Sequence, residues 1–193
     1  DEFWFLVYPL AGRLEESTGR RSFVLDVATG TARLPLALCR VMGFEGQVVG
    51  LDLSRRMLAE AERKTAGFAG RVTLVHHPAA PLPFGDGCFD AVTMLEALEF
   101  VPDPDAVLRE IVRVLVPGGL LLLSNRIGRD ALWLPGRAPR PERFEAKLRD
   151  LGLVDIQTKP WQEYYDLIWA RKPGNPAPRA STPVCTAPFV VRS

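Results

Sequence analysis

The chain has 193 residues, 47% of them hydrophobic and 24% charged, with a formal net charge of +1. That is long enough for one domain with a full core, and without a block of like charges it offers no electrostatic footing for duplex nucleic acid or a membrane surface. No apolar run approaches the roughly 18 residues that span a bilayer. The opening DEFWFLVYPL lacks the basic flank and cleavage site of a signal peptide. Cys39, Cys88 and Cys185 are odd in number and far apart, which argues against a disulfide framework and for a reducing, cytoplasmic setting.

Residues 23–28 (FVLDVA) read as a compact apolar strand and 32–42 as a helix, with Pro35 tolerated in its first turn and Gly43 and Gly46 ending the run. A second strand follows at 47–53. Ser54 is an N-cap for a helix over 55–65 whose Met57, Leu58 and Ala61 share a face. A strand at 71–76, a Pro-rich loop at 78–88 and a strand at 89–95 come next. Asp103 and Pro104 open a helix over 104–116, with Val107, Leu108, Ile111, Val114 and Leu115 as its apolar stripe; the Pro-Gly-Gly at 117–119 stops it before a fifth strand, 120–125. Residues 128–141 form an irregular insertion, 142–151 a short helix, and 153–159 and 163–171 two closely joined strands; a proline-rich tail fills 173–193. Cys88 reads as core filler, and Trp161, Tyr164 and Tyr165 as packing at a sheet edge.

Alternating strands and helices, with strands apolar on both faces, define an α/β fold. The expected form is a Rossmann-like, doubly wound, mostly parallel seven-stranded sheet over 23–172, closed at one edge by an antiparallel hairpin. Ligands of such sheets sit beyond the carboxyl ends of the strands. In the turn after the first strand, a dinucleotide would want G-x-G-x-x-G, but the positions are Ala28, Gly30 and Arg33. Asp52 ends the second strand, where a carboxylate can accept from two ribose hydroxyls under any nucleoside reading. The small, single-glycine turn then selects a nucleoside that ends in an amino acid.

Three stretches in order, LDVATGTA (25–32), VVGLDLSRRML (48–58) and the run from PLPFGDG to LLLLSN (81–125), resemble the motifs of class I S-adenosylmethionine-dependent methyltransferases of the methyltransferase 11 type. They are similar in particular to the ubiquinone/menaquinone-biosynthesis C-methyltransferases. The resemblance implies S-adenosylmethionine as cofactor, S-adenosylhomocysteine as product and a small-molecule methyl acceptor as partner. It implies that Asp26 orients the turn or meets the methionine amino group, that Ala28, Thr29 and Gly30 line the amino-acid end, and that Asp52 holds the ribose. Leu53 and Met57 would pack on adenine, Pro78 and Ala79 would pass its edge, and Leu95, Glu96 and Ala97 would face the sulfonium. Two departures stand out: Ala32 replaces the family's usual third glycine, and His77–Pro78–Ala79 lacks the acid that often accepts from the adenine amino group. Family members usually carry lid helices upstream, so 1–22 is expected to hold part of a lid.

Methyl transfer from a sulfonium is an in-line displacement, and an acidic acceptor is helped by a base. Glu96 and Glu99, after the fourth strand, are the candidates, with a solvated carboxylate at a helix start as the plainer reading. No metal site is expected, because the adjacent His76 and His77 would point to opposite faces of a strand. Trp133 and Leu134 would cover an apolar acceptor or pack within their own loop; Arg126 and Arg129 would bind an acidic acceptor or serve solubility. A homodimer is carried as a further expectation. Three functions stay open: methyl transfer to a small molecule, cofactor binding on the same fold with little catalysis, and a nicotinamide-dependent oxidoreductase, which Arg33 disfavours.

Overall fold

A computed structural model describes residues 4–128 and 139–175. Its centre is a seven-stranded sheet in the order β3-β2-β1-β4-β5-β7-β6, built from β1 (Phe23–Val27), β2 (Gln47–Asp52), β3 (Val72–His76), β4 (Phe89–Met94), β5 (Leu115–Arg126), β6 (Val154–Trp161) and β7 (Tyr165–Arg171). The first five strands are parallel; β7 runs antiparallel to both β5 and β6. This is the expected sheet, edge hairpin included. The strand order reverses between β1 and β4, so their carboxyl ends open onto the switch point where α/β sheets bind ligands.

Helices cover both faces. On one, Val107, Leu108, Ile111 and Val114 of α4 (Pro104–Val114) and Phe144 and Leu148 of α5 (Pro141–Asp150) join Leu25, Val92, Leu121 and Ile168. On the other, Leu6, Val7, Leu10 and Leu14 of α1 (Trp4–Thr18) and Leu34 and Leu38 of α2 (Arg33–Cys39) pack on Val24, Val48, Leu122 and Trp169. Leu58 and Ala61 of α3 (Arg55–Thr65) close over Leu74 and Ala32. Leu58 and Ala61 of α3 and Val107, Leu108, Ile111 and Val114 of α4 form the buried stripes the helical period marks, whereas Met57 is exposed and Leu115 belongs to β5; both expected caps form. The Ser54 hydroxyl accepts from Met57 N at 3.3 Å, and the Asp103 carboxylate from Ala106 N at 2.9 Å.

Three sequence expectations need correction. Helix α2 ends at Cys39 rather than 42: Arg40 N and Val41 N bond three residues back, to Ala37 O and Leu38 O, and the Cys39 carbonyl accepts from the Arg71 guanidinium at 3.3 Å rather than from a further turn. Helix α4 ends at Val114, and the Pro-Gly-Gly segment is no gap between elements. It lies inside β5, where the register with β4 slips between the Phe89–Leu115 and Ala91–Leu120 pairs. The Lys172 ammonium donates at 2.7 Å to both Val112 O and Leu115 O, and Gly118 N donates to Lys172 O, so β7's end supplies the partners for this irregular stretch. Cys88 is buried, as expected of core filler, but is disulfide-bonded; Cys39 is the free cysteine among the described residues. Trp133, Leu134, Arg129 and the tail beyond residue 175 lie outside the described residues.

The loop between β3 and β4 is held by α4. Arg113 donates to the carbonyls of Leu82 and Phe84 at 3.2 and 2.8 Å and to the carboxylates of Glu110 and Asp86, while Glu110 accepts from Leu82 N at 2.6 Å. The hydrogen bond to Arg113 holds the Glu110 carboxyl below its ordinary pKa. One partly exposed side chain thus fixes a loop that has few backbone partners of its own. Replacing Arg113 by Ala should lower unfolding free energy by about 1–2 kcal/mol in urea titrations, whereas Asp86→Ala, on the solvent side of the same network, should change it by less than about 0.5 kcal/mol.

Candidate active site

Strand β1 ends in Asp26 and Val27, and the chain then folds through three left-handed residues at alternate positions: Ala28 (φ 55°), Gly30 (φ 56°) and Ala32 (φ 58°). Glycine takes this conformation freely, whereas a Cβ raises its energy by roughly 1–2 kcal/mol. The alanines are held there by Thr29 N donating to Leu51 O and Ala32 N to Thr29 O, both at 3.0 Å. The turn therefore keeps a glycine-rich shape with two methyl groups added.

Asp26 is 4% exposed and accepts from two threonine hydroxyls, Thr29 Oγ1 at 2.7 Å and Thr93 Oγ1 at 2.6 Å. Burial pushes its carboxyl up to about 6; the two hydroxyls hold it from rising further, and the nearby Asp52 charge adds to the rise. Gly50 makes room for this arrangement, since a Cβ there would lie 3.0 Å from both Thr29 side-chain branches. Asp52, at the end of β2, is oriented by Gly30 N on one oxygen and Ser54 N on the other, each at 2.8 Å. Each oxygen has further lone-pair capacity for a hydroxyl donor.

Two cavities meet at Ala28 and Gly30. The larger, about 600 Å³, is apolar. Leu53 and Met57 form one side, Pro78, Ala79 and Ala80 another, and Ala97, Phe100, Val101, Ala106 and Val107 the rest; Asp52 and His77 are among its few polar groups. The smaller, about 170 Å³, is a charged recess lined by Asp26, Thr29, Gly30, Arg33, Leu95 and Glu96. The pair has the shape and polarity an adenosyl amino acid would need: an apolar slot bordered by the Asp52 carboxylate, joined to a recess that carries both signs of charge.

Every residue expected to touch cofactor borders one or the other cavity: Asp26, Ala28, Thr29, Gly30, Leu95 and Glu96 the recess, and Asp52, Leu53, Met57, Pro78, Ala79 and Ala97 the slot. The two candidate bases part company. Glu96 lines the recess with a left-handed backbone (φ 52°), its N–H donating to Ser124 Oγ at 2.6 Å. Glu99 is 1% exposed, borders neither cavity, and accepts from the Tyr165 hydroxyl at 2.6 Å, with Arg126 3.8 Å away. Arg126 also donates to the Tyr165 oxygen at 3.3 Å. Burial and the bond to Glu99 hold the Tyr165 hydroxyl well above its ordinary pKa, so it stays a donor. Tyr165 is therefore more than edge packing, and Arg126 serves this buried cluster. His76 Nε2 donates to Leu53 O at 2.9 Å, and His77 faces the slot.

The residues that sequence reasoning missed come from elsewhere in the chain. Thr93 and Gly50 flank Asp26 in register on β4 and β2. Ser124 fixes the Glu96 turn from β5, and Phe100, Val101, Ala106 and Val107 supply a wall of the slot. Their common signal is position, since all lie near the carboxyl ends of strands or at the start of α4, but nothing in their residue types announces it.

A model of the methyltransferase domain matches residues 25–123. The chain is 45% identical over 186 residues to a demethylmenaquinone methyltransferase of Geobacillus kaustophilus, covering 77% of each chain, and 46% identical over 101 residues to one of Staphylococcus epidermidis, spanning 42% of that relative's length. A solved structure of the Haemonchus contortus phosphoethanolamine N-methyltransferase 2, in complex with S-adenosylhomocysteine, shares the fold at 19% identity with a TM-score of 0.69, over 88% of this chain and 53% of that one. The chain belongs to the methyltransferase domain family and is an S-adenosylmethionine-dependent methyltransferase.

Asp26 gives this site a pH signature. Its folded pKa lies above the unfolded value of 3.8, so its contribution to stability is full below about pH 4 and is lost as pH rises through about 6. Denaturant titrations between pH 4 and 7 should show wild-type stability falling by on the order of 2 kcal/mol relative to Asp26→Asn across that window; parallel profiles would contradict the assignment.

Proposed function

We propose that the protein transfers a methyl group from S-adenosylmethionine to a small aromatic acceptor of the reduced-quinone type. The observation that carries the reading is the meeting of an apolar slot and a charged recess at one turn, with Asp52 oriented by Gly30 N and Ser54 N at their junction. The acceptor class rests on the relatives that carry the name demethylmenaquinone methyltransferase and on the chemistry: an electrophilic methyl group needs an electron-rich carbon, which a reduced ring offers and an oxidised one does not. S-adenosylmethionine supplies that methyl on a sulfonium and leaves as S-adenosylhomocysteine.

Asp52 holds the ribose hydroxyls, and Leu53, Met57, Pro78 and Ala79 exclude water from the adenine. Ala28, Thr29 and Gly30 line the amino-acid end, with Asp26 fixing the turn from beneath. Leu95 and Glu96 border the end of the recess nearest β4. Carbon–carbon bond formation releases a ring proton, and Glu96 is the candidate base with access to the recess. Glu99, locked to Tyr165, supports the same segment from below. Residues 1–22 we take as part of a lid, with α1 its docked helix, and 173–193 as a tail outside the core. We take the protein as a small-molecule enzyme without nucleic-acid or membrane partners; the bonded Cys88 runs against the cysteine argument for a reducing compartment, and no helix of the described residues is long and apolar enough to cross a membrane.

Incubation with S-adenosylmethionine and a panel of reduced benzoquinones and naphthoquinones lacking a ring methyl should yield S-adenosylhomocysteine and methylated product. Tight cofactor binding without turnover on the panel would overturn the acceptor assignment. Asp52→Ala should weaken S-adenosylhomocysteine binding about 10–100-fold by calorimetry, the loss of two charge-assisted hydrogen bonds; an unchanged Kd would remove the ribose role.

A further inference from the structure

Arg33 is the residue of the first turn that the methyltransferase reading leaves without a task. It follows left-handed Ala32, begins α2 and is exposed, yet it borders the 170 Å³ recess. The recess is otherwise negative: Asp26 and Glu96 also face it. The apolar slot has no arginine or lysine among its lining residues and carries Asp52 and Asp103 instead. A ligand that spans both cavities and bears a carboxylate would be repelled by Asp52 and Asp103 in the slot and by Asp26 and Glu96 in the recess. Arg33 alone among the lining residues of the two cavities offers it an arginine or lysine charge. The same recess places two carboxylates where an ammonium group is favoured. Two acids and one guanidinium around so small a space are complementary to an α-amino-acid zwitterion.

We propose that Arg33 binds the carboxylate of the cofactor's amino-acid end and is the residue by which this site prefers an intact adenosyl amino acid over adenosine thioethers that lack one. The inference rests on the cofactor reading above and deepens it, giving the recess's one guanidinium a specific group on the ligand. It also explains why the turn tolerates a long cation at the position where a dinucleotide site requires a small residue: the guanidinium lies beside the ligand's end rather than under a diphosphate. Because Arg33 is exposed, the pair is partly screened, and the effect is a modest preference rather than an absolute gate.

The test is a ligand-by-variant cycle read by calorimetry at fixed salt, with no need for an acceptor. S-adenosylhomocysteine carries the whole amino-acid end, decarboxylated S-adenosylmethionine keeps the ammonium without the carboxylate, and 5′-methylthioadenosine has neither. Arg33→Met should weaken S-adenosylhomocysteine about tenfold while changing the other two less than about twofold. Arg33→Lys, which keeps the charge, should recover most of the loss. Retained 5′-methylthioadenosine binding in Arg33→Met shows that the slot is intact. Equal losses for all three ligands, or no loss for S-adenosylhomocysteine, would overturn the assignment to the carboxylate. Failure of folded wild-type protein to bind any of the three would instead overturn the cofactor reading itself.

Discussion

A buried carboxylate at the end of β1 dictates the form of the whole site. Asp26 registers with Gly50 on one side and Thr93 on the other, three residues in a row across β2, β1 and β4. An ionisable group at 4% exposure demands donors. Thr93 supplies one from the neighbouring strand, and Thr29 supplies another by folding back over the strand end. Gly50 leaves room for this, since a Cβ there would press on Thr29 at 3.0 Å. With Thr29 so placed, the chain passes through left-handed Ala28 and Gly30, and Gly30 N donates to Asp52. The turn is thus built around one satisfied acid.

From that turn the two halves of the site divide their work by polarity. The slot between α3, the segment after β3 and the start of α4 is apolar, the lining that suits a flat ring shielded from water. The recess carries both signs of charge, Asp26 and Glu96 against Arg33. Asp52 stands where they meet, its orientation set by two backbone N–H groups rather than by another side chain, so it is ready to accept from hydroxyls without rearrangement. Behind the recess, Ser124 and the Glu99–Tyr165–Arg126 cluster tie the segment after β4 to β5 and β7. The antiparallel edge therefore braces the segment after β4 that borders the recess.

The departures from the family pattern have local physical answers. Alanine at 28 and 32 keeps left-handed backbone at a strain that the surrounding hydrogen bonds sustain, and the Ala32 methyl is recovered as packing against Leu58, Ala61 and Leu74. His77–Pro78–Ala79 brings no acid to the edge of the slot. The nearest acid on the opposite wall, Asp103, is already engaged as the cap of α4 through Ala106 N. The slot therefore relies on shape and apolar contact at that edge.

Much of this was legible in the chain before any coordinates. Strand and helix alternation, the caps at Ser54 and Asp103 and the acids at 26 and 52 are local signals, because they depend on period, on a side chain reaching two or three residues along, and on a turn between adjacent elements. These specified the sheet and its hairpin edge and marked Gly30 and Asp52; the other cofactor positions came from the resemblance of the three motif stretches, and they border the two cavities. What the chain alone did not reveal depends on distant segments meeting. The extension of β5 back to Leu115 is decided by Lys172, and the Cys39 carbonyl at the end of α2 is taken by Arg71. That Glu99 is buried against Tyr165 while Glu96 faces the recess separates two acids three residues apart, and no sequence pattern distinguishes them. Only the packed sheet, with β7 lying antiparallel beside β5, brings a tyrosine to one of them and leaves the other at the cavity.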